Sequence, residues 1–172
     1  MALSLPSLPA QHVPTAAEYA QILAAINAFG YARKSADETV TTSTTLQNDD
    51  ELFVAVNANG IYEFRLFLDY NSSTTADIKI GWTLPSGATM TYVQNGLDAS
   101  STTNLGAQNL GPLTQASNPV FGGTGGDTVA IPLGMLVVGA NAGTMQLQWA
   151  QSTSSGSTIV RAGSHLIVRQ LA

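Results

Sequence analysis

Two histidines (His12 and His165), one acidic run (Asp49-Asp50-Glu51) and one glycine run (Gly122-Gly123-Thr124-Gly125-Gly126) are where the residue types of this chain could do chemistry. An imidazole serves as a base near neutral pH or as a metal ligand. Two of them at opposite ends of a chain without cysteine are too few for a zinc cage. A Ser–His–Asp grouping around His165 lacks the nucleophile elbow that would expose its serine. The acidic run could hold a hard cation through oxygen, but beside a strand start it reads as a solvated turn. The glycine run has a phosphate loop's glycines without the lysine or the strand-to-helix setting, so it reads as a flexible loop. Asn71-Ser72-Ser73 fits a glycosylation acceptor, which matters in a eukaryotic secretory setting. Trp82, Tyr92 and Trp149 could stack on sugars if exposed, but the alternation around the tryptophans turns both inward. No catalytic residue, metal ligand or cofactor is assigned, and the expectation is a protein that is not an enzyme.

The elements that would position these residues are mostly strands. Ile61 to Tyr70 alternates over ten residues, with Tyr62, Phe64, Leu66, Leu68 and Tyr70 on one face and Ile61, Glu63, Arg65, Phe67 and Asp69 on the other. That period of two marks a half-buried, central strand. Leu52–Val56 alternates just before it, and Asn59-Gly60 between them predicts a tight hairpin. Further strands are expected at Thr39–Thr45, Asp77–Thr83, Ala88–Val93, Thr128–Val138, Thr144–Gln151 and Thr158–Leu171, the last bent or broken at Gly163. Turn residues separate them, including Pro85-Ser86-Gly87, Asn95-Gly96 and Asn141-Ala142-Gly143. The fold class expected is mainly β, an antiparallel two-sheet, jelly-roll-like sandwich over residues 31–172. Residues 97–127, poor in periodic apolar positions, form a long loop excursion.

Ahead of the sandwich, residues 1–14 carry Pro6, Pro9 and Pro14 among Leu3, Leu5 and Leu8, a composition that favours an extended arm. The opening lacks the basic n-region of a signal peptide, and prolines interrupt its apolar run. Thr15-Ala16-Ala17-Glu18 fits a capping box, and Tyr19, Ile22, Leu23, Ile26 and Phe29 follow at helical spacing, with Gly30 as C′ residue. This predicts one short amphipathic helix over residues 15–30. Leu3, Leu5, Leu8, Tyr19, Leu23 and Ile26 are the candidate partner-binding residues, because an apolar arm and stripe without a core of their own need another surface.

Composition narrows the partners. Six Lys and Arg against eleven Asp and Glu give a net charge of −5, and the basic residues are scattered, so nucleic acid is not expected. No apolar run is long enough to span a membrane as a helix. Only 10% of residues are charged, against roughly a quarter in ordinary domains. Charge is what usually keeps sheet edges apart, so association is expected, and a homotrimer is the closed form anticipated.

Three passages, Lys34-Ser35-Ala36-Asp37-Glu38-Thr39-Val40, Thr44-Thr45-Leu46-Gln47-Asn48-Asp49-Asp50-Glu51-Leu52 and Gly143-Thr144-Met145-Gln146-Leu147-Gln148-Trp149-Ala150-Gln151, together resemble virion proteins of tailed bacteriophages, particularly those infecting actinobacteria. Val13-Pro14-Thr15-Ala16-Ala17-Glu18 is similar to N-terminal attachment segments of phage appendage proteins. The resemblance implies a non-catalytic structural protein on the virion exterior, a capsid decoration or minor tail protein, bound to capsid or tail proteins through its N-terminal region. It supplies no catalytic residues. The rival expectation is a carbohydrate-binding host-adhesion module whose partner is a host surface glycan.

Overall fold

The structure, a computed structural model, describes residues 13–105 and 112–172. One helix, α1 (Ala16–Asn27), precedes strands β1 (Phe29–Arg33), β2 (Glu38–Thr41), β3 (Gln47–Val56), β4 (Ile61–Asn71), β5 (Ile78–Thr83), β6 (Thr89–Val93), β7 (Leu113–Thr114), β8 (Val120–Phe121), β9 (Asp127–Ala130), β10 (Leu133–Val137), β11 (Gly143–Gln151), β12 (Ser157–Val160) and β13 (His165–Gln170). They form two antiparallel sheets. The larger runs β1-β13-β4-β10-β6-β7, with β2, β12 and β9 attached, and the smaller runs β3-β11-β5-β8. From β3 to β6 the chain changes sheet at every connection, and it does so again from β7 to β8, β8 to β9, β10 to β11 and β11 to β12, the wrapping of a jelly roll, while β7 stays beside β6.

β4 lies at the centre of the larger sheet, as its alternation predicts. Its first half pairs with β10 and β13, and its second half with β9 and β12. Tyr62, Phe64, Leu66, Leu68 and Tyr70 are all buried, facing Trp82, Trp149 and Leu147 of the smaller sheet in one continuous core. The expected Thr128–Val138 strand is interrupted at Ile131-Pro132, since proline has no N–H for the ladder. Its carbonyl instead accepts from Leu66 N at 2.9 Å. The expected Thr158–Leu171 strand breaks at residues 161–164, around Gly163 with its φ of +94°.

The expected hairpin between residues 52–56 and 61–70 does not form, because β3 and β4 belong to different sheets. A type I′ turn needs positive φ at both central residues, and of Asn59 and Gly60 only Asn59 has it, at 59°. Both sides of β4 are already occupied. The connection is held by Asn57 N donating to the Tyr62 hydroxyl at 2.7 Å and by Asn59 N donating to Gly139 O at 2.8 Å. Asn-Gly here turns the chain across the sandwich rather than back along one sheet.

The helix begins as predicted. Thr15 N donates to a Glu18 carboxylate oxygen at 2.7 Å, and Glu18 N donates back to Thr15 Oγ1 at 3.3 Å. It ends earlier than predicted, at Asn27. Phe29 and Gly30, expected as stripe and C′ residue, stand in β1 opposite Arg169 and Val168. Gly30 is required there by packing: a Cβ would meet Val54 Cγ1 at 2.2 Å. Among the described residues no helix is long and apolar enough to cross a membrane.

Candidate interaction surface

The outward side chains of the larger sheet make a surface that alternation alone would leave polar. Cross-strand register aligns Tyr31, Ile167, Arg65, Leu133 and Val93 in one row over five strands. Phe29, Arg169, Glu63, Met135 and Thr91 form the next row. Tyr31 is 60% exposed, Phe29 62% and Met135 46%, and Leu133 and Val93 are exposed as well. Phe67 stacks on His165 with centroids 5.1 Å apart and an interplanar angle of 12°, and Tyr31 closes on the same imidazole at 6.1 Å. A depression of ≈ 300 Å³ lies among Phe29, Arg65, Ile167 and Arg169.

This face also carries charge. Arg33, Arg65 and Arg169 are three of the six basic residues in the sequence, and Glu63 and Asp69 are carboxylates on the same outward side of β4, with Glu63 the one beside the depression. Arg169 pairs with Glu63 at 2.7 Å. Among the described residues Arg33 and Arg65 form no ion pair.

Helix α1 shows a complementary surface. Tyr19 and Leu23, one turn apart, are 56% and 55% exposed, so the helix does not spend its apolar stripe on its own sandwich. Leu3, Leu5, Leu8 and His12 lie outside the described residues, as does the side chain of Ile26.

The acidic run is neither a turn nor solvated at its first residue. It lies within β3, where Asp49 is fully buried. One Asp49 oxygen accepts from Lys34 Nζ at 3.0 Å and Trp149 Nε1 at 3.2 Å, and the other from Leu52 N at 2.7 Å and Glu51 N at 3.0 Å. The cation it binds is therefore an ammonium. Asp49 fills a bulge in which register passes from Gln148↔Asn48 to Gln146↔Phe53, leaving residues 49–52 to bow out. Lys34 also bonds Glu38. Burial would lower the Lys34 pKa, but its bonds to Glu38 and Asp49 more than offset this and raise it. Beside it Ser35 N and Oγ donate to the Glu51 carboxylate, which hydrogen bonding to that hydroxyl and N–H holds below the usual range. The two opening passages that carry the phage resemblance are thus brought together, and with Trp149 the third joins them.

The glycine run is not a flexible loop. Gly122 and Gly123 are buried, and a Cβ on them would stand 2.2 Å from Ser101 O and 2.3 Å from Ser73 O respectively. Asp77, buried and at φ 48°, accepts from Gly123 N at 2.8 Å and Ser100 N at 2.7 Å. Tyr70 donates its hydroxyl to Gly122 O at 2.7 Å, and burial pushes its pKa well up. Part of the expected 97–127 excursion is therefore built into the sandwich, with β7 on β6 and β8 on β5. His165 bonds Gly163 O through Nδ1, and among the described residues no group of three His, Cys, Asp or Glu could hold a metal ion.

At the far end of β4, Arg161 bridges Asp37 and Asp127, each at 2.8 Å. The Ala162 N–H and Arg161 hold the Asp37 carboxyl below its usual value, and Asn71 and Arg161 do so for Asp127. Asp69 beside them is shifted up by burial and by the Asp127 charge, and one of its oxygens is buried without a partner among the described residues.

No family model matches the chain, and no curated protein matches it. Among solved structures it is similar to the Eiger TNF of S. frugiperda, at 12% identity and a TM-score of 0.37, over 84% of this chain and 92% of that one. A chain from infectious bursal disease virus, Gx strain, aligns at 12% identity and a TM-score of 0.18, over 82% of this chain and 40% of that one. Likenesses this distant carry no argument about function.

Proposed function

We propose that this chain is a non-catalytic structural protein of a tailed-phage virion, displayed on the particle exterior as a capsid decoration or minor tail protein and acting as a homotrimer. The observation that carries the reading is the division of the chain. A sandwich closes its own core, while a capped helix ahead of it leaves Tyr19 and Leu23 more than half exposed. Apolar groups placed one turn apart on a helix are open to a second chain. The arm with Leu3, Leu5 and Leu8 is then the contact with capsid or tail proteins, in the manner of an extended segment that gains its burial from its partner.

Deleting residues 1–14 should leave the thermal midpoint of the sandwich unchanged and abolish retention on purified particles. Leu5→Asp with Leu8→Asp should do the same, by placing charge in a desolvated contact at a cost of several kcal/mol. Full retention of the truncated protein would overturn the assignment, and turnover of a cell-wall polymer would overturn the non-catalytic reading.

A carbohydrate-binding role is the second reading. The buried Trp82, Tyr92 and Trp149 do not favour it, but the exposed rings of Phe29 and Tyr31 beside Arg65 do. Saturable binding of residues 28–172 to a host cell-wall glycan, lost in Tyr31→Ala, would establish it.

A further inference from the structure

We propose that the outward face of the larger sheet is the seat of helix α1 from a neighbouring copy. Both surfaces are exposed apolar features of the same chain, and they fit in kind. The face offers Tyr31, Leu133, Met135 and Ile167 around the depression at Arg65, and α1 offers Tyr19 and Leu23 at i and i+4. They also fit in size. Twelve helical residues span about 18 Å, and five strands span about 19 Å across their hydrogen bonds.

Charge supports the same occupant. The depression is lined by Arg65 and Arg169 against Glu63, in a chain whose net charge is −5. The helix carries Glu18 in its first turn and no basic residue in its last. Its C-terminal carbonyls add the negative end of the helix dipole. An apolar stripe with net negative charge is the complement of an apolar depression with net positive charge.

The helix cannot reach its own face. Ala28 alone joins Asn27 to Phe29, and its carbonyl is already taken by Gln170 N at 2.7 Å, at the edge of the ladder. Reversing a helix onto the following strand takes connections of about two to six residues. The donor is therefore another molecule. Repeated head to tail, a helix-to-sheet contact is heterologous, and where its rotation closes it forms a ring in which every helix and every face is used. This deepens the proposed homotrimer: α1 holds the neighbour, and the arm ahead of it is left for the particle.

Because the sequence has no cysteine, engineered pairs report on this contact alone. Leu23→Cys is combined in turn with Leu133→Cys, Met135→Cys and Ile167→Cys in the full chain and oxidised in solution without particles. At least one pair should give covalent oligomers on a non-reducing gel, up to three times 17.9 kDa, while each single variant stays uncrosslinked. Light scattering of Tyr19→Asp with Leu23→Asp, and separately of Leu133→Asp with Ile167→Asp, should show 17.9 kDa monomers with unchanged circular dichroism. A wild-type chain that is monomeric at about 100 µM would overturn the proposal. Crosslinking by Leu23→Cys alone, which would mean helix on helix, would do so too, as would oligomers that survive both charged variants. These readouts need no virion, so their failure is separable from failure of particle retention.

Discussion

At the scale of the residue, Asp49 does more than any other ionisable group. It neutralises a buried lysine, caps the N–H groups of a bulge and accepts from Trp149. Removing one partner of a buried ion pair leaves the other charge uncompensated, typically at about 3–5 kcal/mol. Asp49→Ala should therefore lower the urea midpoint by that order, whereas Asp50→Ala, which changes an exposed side chain, should stay within about 0.5 kcal/mol. Arg161 makes a different prediction. It lowers the folded-state pKa of Asp37 and Asp127, so the stability it contributes is fully present above the unfolded carboxylate value, about 3.9, and is lost as pH falls through the lower folded values. Arg161→Gln should be less stable than wild type at pH 7, with the difference vanishing near pH 2 in a pair of thermal melts. Equal melts at pH 7 would show the bridge to be energetically idle.

At the scale of the element, the glycine run and the long excursion change meaning together. Gly122 and Gly123 allow backbone to lie against backbone at Ser101 and Ser73, which seats β8 beside β5. A methyl group on Gly123 has no space, and overpacking of this kind costs about 1–3 kcal/mol. Gly123→Ala should therefore lower the thermal midpoint by several degrees, at about 2–4 °C per kcal/mol for a chain of this size. Gly126→Ala, whose Cβ would meet only Thr124 Oγ1 at 3.7 Å, should be nearly neutral. If both behave alike, the close approach is not what these glycines serve. Composition is the same for a flexible loop and a packed one, so only the position of Ser72, Ser73 and Ser101 separates the two.

At the scale of the whole molecule, the sandwich and the segment ahead of it answer to different partners. The core closes without α1, and the outward face of the larger sheet is left with exposed apolar side chains around Arg65 and Arg169. Full-length protein is expected to run as a trimer, and a chain beginning at residue 28 as a monomer with an unchanged core, both measurable by native mass spectrometry. A trimer that persists after loss of the helix would place the contact between sheets instead.

By itself the sequence determined what short-range periodicity and local chemistry can determine. The alternation of β4, the inward tryptophans, the capping box at Thr15 and the break near Gly163 each depend on neighbours within a few positions, and each is where it was expected. Register across strands and choice of sheet depend on residues far along the chain. That is why Asn59-Gly60 turns between sheets, why Phe29 and Gly30 leave the helix for β1, and why Asp49 meets Lys34 and Trp149. The outward row of Tyr31, Ile167, Arg65, Leu133 and Val93 has the same cause. It draws one residue from each of five strands, of which β4, β6, β10 and β13 were readable from their own residues and β1 was not, and only their assembly shows that the outward apolar residues share a face.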